Sequence, residues 1–166
     1  SPEADRAAYP ARTEGELYRT YDIESFDTGC LRAHTAEGAE VFFVASHACP
    51  VNVDPLLRLE AERASAEFSL YEGASIAWAD GRREAIEWGD FRMDMFDNVL
   101  EAVSGAAPAS ICTLEVARTH VATIEALHRV ASIVDVPAEY VSEVEDGQRV
   151  RPMLEPVLVE ILPRER

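Results

Sequence analysis

The chain has 166 residues, 48% hydrophobic and 28% charged, the mixture of one globular domain with a core rather than of a disordered segment. Its 31 acidic residues face 15 basic ones, a formal net charge of −16, and all the basic residues are arginine. A field of that sign disfavours nucleic acid and anionic membrane as partners, and the absence of lysine excludes a Schiff-base or phosphate-loop lysine within the chain.

Residues 1–11 are polar and proline-bearing, as a linker or tail would be. They hold no initiator methionine and no apolar signal core, which points to a processed or excised piece. Strand territory follows: "TEGELYRTYDI", then "DTGCLRAHT", a turn at "AEGA", and "EVFFVASHA", a hairpin signal. A pairing with Ala36 opposite Ala39 would set Leu31, Ala33, Phe42 and Val44 on one face. Cys30, Arg32, His34, Phe43 and His47 would share the other. The first face reads as core. The second is mixed, as suits an interface or a ligand-facing surface, and makes Arg32, Phe43 and His47 the candidate substrate or interface residues.

Beyond the proline-punctuated "CPVNVDP", "LLRLEAERA" alternates cleanly, and "AEFSLYEG", "ASIAWADG" and "REAIEWG" continue as short strands between glycine turns. Phe68, Leu70, Ile76, Trp78, Ile86 and Trp88 are the buried candidates of this antiparallel meander. The period then becomes helical. Phe96, Val99, Leu100 and Val103 form one stripe, and Ala117, Val121, Ile124, Leu127, Ala131 and Val134 a second. Between them Gly105 is a helix stop, Pro108 blocks a restart, and Thr113 with Glu115 opens the next helix. The tail has one turn at Asp146-Gly147 and a last apolar run broken by Pro156. Strands first and helices later predict an α+β fold: an open-faced, mainly antiparallel sheet with helices packed on one face.

Motifs with chemistry are sparse. GxGxxG, Walker A, GxSxG and HExxH are all missing. Glu125 and His128 have the ExxH spacing of a di-iron helix, but a single copy reads as a solvated helix face, so no metal is expected. His34 and His47 lie at opposite ends of the hairpin, too far apart to share a metal. His47 is read first as a residue bonding its loop and second as a ligand-facing one. The acidic "YDIESFD" lacks the spacing and turn glycine of a calcium loop. Cys112, just before a helix, is read as a small packed residue in preference to a nucleophile. Cys30, Cys49 and Cys112 form no CxxC pair, and no apolar run reaches the ~18 residues of a membrane span, so a reducing cytoplasm is the expected location.

The run "MDMFDNVLEAVSG" through "AAPASICTLEVARTHVATIEALHRVA", with "ELYRTYDIESFDTGCLRAHTAEGAEVFFVASHA" before it, resembles the C-terminal domain of the Gfo/Idh/MocA oxidoreductases. The resemblance covers about residues 12–134. It implies a single domain over 12–166, a substrate-pocket role and a homo-oligomer, dimer or tetramer, built through the open sheet face. It also implies an N-terminal Rossmann domain as partner, which would bring NAD or NADP. The family's dinucleotide fingerprint and its Glu-Lys-Pro motif belong to that other part, so no catalytic or cofactor-binding residue carries over to this chain. The expected function is therefore the substrate-binding and oligomerisation part of an NAD(P)-dependent oxidoreductase acting on a sugar, polyol or related carbonyl compound, inactive alone. The alternative is a stand-alone interaction or small-ligand module using the same sheet face.

Overall fold

The computed structural model describes residues 7–50, 55–87, 89–106, 112–146 and 149–154. Among the described residues, ten strands and two helices give an α+β fold of open, unclosed sheets. The chain forms two compact units: Ser1–Val51 with Cys112–Arg166, and Asn52–Ile111. The strands expected beyond "CPVNVDP" as an antiparallel meander form one sheet, distinct in its pairing from the sheet of the N-terminal hairpin.

In the first unit β1 (Pro10–Arg19), β2 (Thr28–Thr35) and β3 (Glu40–Ser46) form an antiparallel meander. In the second, β4 (Leu56–Glu60), β5 (Ala64–Ser69), β6 (Gly73–Trp78) and β7 (Arg83–Ile86) form a four-stranded antiparallel sheet in sequence order. The helix α1 (Phe91–Ser104) follows in that unit. Its start is capped by Asp90, whose carboxylate accepts from the Arg92 and Met93 amides. Gly105 ends it at φ 76°, in the left-handed conformation that the sequence predicts.

The first unit resumes with α2 (Leu114–Val130), whose start is capped by the Thr113 hydroxyl accepting from the Val116 amide, with Glu115 in the first turn. Pro108 lies outside the described residues. The helix stripe predicted to run on to Val134 stops earlier. Ala131 is extended, and Ile133–Asp135 form β8, which pairs parallel with β1. The first sheet thus has the order β3-β2-β1-β8. No glycine or proline marks the end of α2. What ends it is the ladder that β1 offers, Leu17 opposite Ile133, fastened by Arg19 Nε donating to Asp135 at 2.6 Å. A short 3-10 turn (Ala138–Tyr140) leads to the hairpin of β9 (Val141–Asp146) and β10 (Arg149–Leu154).

The core is small: Leu17, Leu31, Ala33 and Leu127, with Phe26, Ala131 and Ile133 against it. Gly15 makes it possible. A Cβ there would collide with the Cys30 carbonyl and lie 2.6 Å from Leu127 Cδ1, so only glycine lets α2 seat on β1. In the second unit the predicted buried set is only partly buried. Phe68, Leu70, Ile76 and Trp78 are half-buried, Ile86 is exposed, and Trp88 lies outside the described residues. The α1 stripe of Phe96, Val99, Leu100 and Val103 is also exposed.

Candidate functional site

The hairpin register decides which candidate residues meet. Thr35 N–H donates to the Ala39 carbonyl at 2.9 Å, Gly38 N–H to the Thr35 carbonyl at 3.1 Å, and the Thr35 hydroxyl accepts from the Ala39 amide. Thr35 is therefore opposite Ala39, with Gly38 at φ 87° closing a three-residue turn. The two-residue turn expected from the sequence is corrected by one position. Such a slip exchanges the faces of the whole strand: Arg32 now pairs with Phe42 and Leu31 with Phe43.

On the face away from α2, the Arg32 guanidinium lies 5.7 Å from the Phe42 ring, with Glu14 as its neighbour across β1. Cys30 sits between Glu16 and Val44, and His34 Nδ1 lies 3.5 Å from Glu40. Tyr18 donates to Glu16 Oε2 at 2.8 Å. That hydrogen bond to a carboxylate, with partial burial second, pushes the phenol up to about 12. This face is mixed, as expected, but its aromatic member is Phe42. Phe43 stands beside Leu31 on the helix side, half exposed beyond the reach of α2.

His47 lies past the end of β3 and joins neither face. Its amide donates to the Asp27 carbonyl at 2.8 Å and its own carbonyl accepts from the Tyr21 hydroxyl at 2.7 Å. The buried Asp27 carboxylate gathers the strand ends: it accepts from the Thr20 and Tyr21 amides at 2.6 and 2.7 Å and from the Thr28 hydroxyl at 3.0 Å. Tyr21, His47, Val150, Arg151 and Pro152 line a shallow groove of about 660 Å³. Burial is the main cause raising the Tyr21 phenol, and Asp27 adds to it while Arg151 opposes it. This groove joins residues more than a hundred positions apart, and no sequence spacing reveals it. Arg32, Phe43 and His47 thus occupy three places rather than one surface.

On the outer side of α2, Glu125 is held by Arg129 at 3.3 Å and His128 rests against the Phe26 ring, centroids 5.4 Å apart. Among the described residues no group of three or more His, Cys, Asp or Glu is placed to hold a metal. No described helix is long and apolar enough to cross a membrane. Cys112, expected to pack behind the cap, is exposed, its thiol 3.8 Å from the Thr113 carbonyl oxygen. Thr113 caps with its own side chain and needs nothing behind it.

The fold is the one found in part of the Gfo/Idh/MocA-type oxidoreductases, as the sequence resemblance implies. The chain is similar to UDP-N-acetylglucosamine 3-dehydrogenase GnnA from Acidithiobacillus ferrooxidans, with a TM-score of 0.61 and 16% identity over 74% of this chain and 41% of that one. It is also similar to the aldose-aldose oxidoreductase from Caulobacter crescentus, with a TM-score of 0.52 and 17% identity over 74% and 40%. KijD10, a 3-ketoreductase from Actinomadura kijaniata solved with NADP, gives 0.53 and 13% over 81% and 44%. The chain therefore spans about two fifths of the length of these proteins. No protein-family model and no curated protein matches it.

Proposed function

We propose that this chain is the substrate-binding and oligomerisation part of an NAD(P)-dependent oxidoreductase acting on a sugar, polyol or related carbonyl compound, with residues 12–166 as its single α+β domain. The supporting observation is the fold likeness, which takes in 74% of this chain but only 41% of a sugar-nucleotide dehydrogenase. The missing share is where a Rossmann domain with its dinucleotide would lie. No glycine-rich dinucleotide fingerprint occurs in this sequence, so on this reading the dinucleotide is held by the missing part.

This chain's residues serve recognition instead. Arg32, stacked on Phe42, offers a fixed cation on the open face for hydroxyl or carboxylate oxygens. His47 offers an imidazole at the rim of the groove with Tyr21 and Arg151. Phe43 offers an apolar contact at the sheet margin. The isolated chain is expected to show no saturable NADH or NADPH binding at micromolar concentration by titration calorimetry. The reading frame upstream of Ser1 is expected to encode a βαβ unit with a Gly-rich turn and Glu-Lys-Pro. Tight dinucleotide binding, or a start codon directly before Ser1, would overturn the proposal, the latter in favour of a stand-alone module.

A further inference from the structure

The segment that carries His47 is held by its backbone, and every hold leads back to one residue, Asp27. The His47 amide donates to the Asp27 carbonyl at 2.8 Å. The peptide that follows is fixed at both ends. Its carbonyl accepts from the Tyr21 hydroxyl at 2.7 Å, and its N–H, that of Ala48, donates to Ser46 Oγ at 3.1 Å. Tyr21 is itself placed by its amide on Asp27 Oδ2 at 2.7 Å, beside the Thr20 amide at 2.6 Å. Ser46 Oγ lies 2.7 Å from Thr28 Oγ1, which donates to Asp27 Oδ1 at 3.0 Å. A threonine hydroxyl has one proton, so Ser46 is the donor to Thr28. The chain of bonds therefore runs one way, from the Ala48 amide through two hydroxyls to the Asp27 carboxylate, each bond polarising the next.

The other wall of the groove joins the same frame. The Ala48 carbonyl accepts from the Leu154 amide at 2.7 Å, and both Ala48 and Met153 are buried. β10, which carries Val150, Arg151 and Pro152, is thereby tied to the residue after His47. Every group in this frame belongs to the first unit. Among the described residues the His47 imidazole makes no hydrogen bond or ion pair. A loop residue with its backbone so fully bound, and its ring left out of the bonding, is built to present that ring.

We propose that Asp27 is the positioning residue of the groove: acting through Tyr21, Thr28 and Ser46, it fixes the peptide planes on both sides of His47 and so aims the imidazole. That the ring meets a substrate rests on the recognition role given to His47 above; that Asp27 aims it does not. A carboxylate suits this role because a charged acceptor holds two amides and a hydroxyl more strongly than a neutral one.

The test is Asp27→Asn in the full chain, read by amide hydrogen exchange and by the Tyr21 phenol. Asparagine has the same shape. Its oxygen takes the Thr20 and Tyr21 amides, while its NH2 group faces Thr28 and reverses the hydroxyl chain. Circular dichroism should show the fold kept, with only the charge lost. Exchange at the Thr20, Tyr21 and Ala48 amides should rise about tenfold as charge-assisted bonds become neutral ones, with the far end of the β1–β2 ladder unchanged. The Tyr21 phenol is raised first by burial and then by Asp27, with Cys49 adding to this and Arg151 opposing it. Losing the Asp27 charge should therefore lower its midpoint in absorbance titration, where Tyr21→Phe identifies the signal. Tyr21→Phe also keeps the carboxylate, so it tests the clamp even where Asp27→Asn does not fold. It should speed exchange at Ala48 and leave the Thr20 amide as it was. His47→Ala should change none of these readouts, because only its backbone takes part. Exchange that rises equally along β1 and β2, a Tyr21 midpoint that stays put, Tyr21→Phe without effect at Ala48, or a clamp lost in His47→Ala would each overturn the proposal. Failure of the recognition role would leave all of these readouts in place, so the two fail separately.

Discussion

The first and second sheets are alike in strand number and hairpin connections, yet the buried apolar side chains among the described residues all lie in the first unit. In the first, Leu127 of α2 sits over Gly15 and closes onto Leu17, Leu31 and Ala33. In the second, Leu57, Leu59 and Ile86 share a face by register with Phe68 and Ile76, but all three remain about half exposed. α1, the helix of that unit, leaves Leu100 64% and Val103 82% exposed. Alternation is enough to specify a strand. A core also needs a second layer close enough to exclude water, and in this chain a missing Cβ provides the approach.

The sharpest way to break this contrast is to truncate the two helices at equivalent stripe positions. Leu127→Ala should cost about 3 kcal/mol in denaturant unfolding, through lost burial and the cavity left behind. Gly15→Ala should cost about 2 kcal/mol, because its Cβ must displace the backbone of β2 or the Leu127 side chain. The caps test whether both helices are equally well begun: Thr113→Ala and Asp90→Ala should each cost about 1 kcal/mol. Leu100→Ser on α1 should change stability by no more than about 0.5 kcal/mol. A cost there near that of Leu127→Ala would mean that the α1 stripe is covered in solution, and the contrast between the helices would fall.

The smallest expected effect is a pH response on the open face. The Tyr18 phenol is raised in the folded chain, so its contribution to stability is fully present below about pH 10 and is lost as pH climbs towards 12. Glu16→Gln should lower the midpoint of phenolate absorbance for Tyr18 towards its ordinary value. An unchanged midpoint would remove Glu16 as the cause.

Features written in short windows were legible in the sequence. Gly105 and Thr113 act where their chemistry predicts, and Leu31 and Ala33 lie in the core as their alternation requires. The Phe42–Phe43 assignment was not, because "TAEGA" fits both a two- and a three-residue turn, and only the Thr35 and Gly38 geometry selects between them. Nor was the end of α2, where Ala131 leaves the helix for a strand partner more than a hundred residues earlier in the chain. Tyr21, His47 and Arg151 meet at one groove for the same reason: long-range closure leaves no trace in local spacing.

The two halves of the first unit flank residues 52–111, and this governs the order in which the chain can mature. During synthesis the β1–β2–β3 hairpins can form as soon as they emerge, since their contacts are local. Leu17 and Leu31 must then wait, uncovered, until the whole second unit and α2 have left the ribosome at roughly 5–20 residues per second. A newborn chain therefore passes seconds with an apolar sheet face open. That interval is when aggregation, the hazard that chaperones answer, has its widest opening.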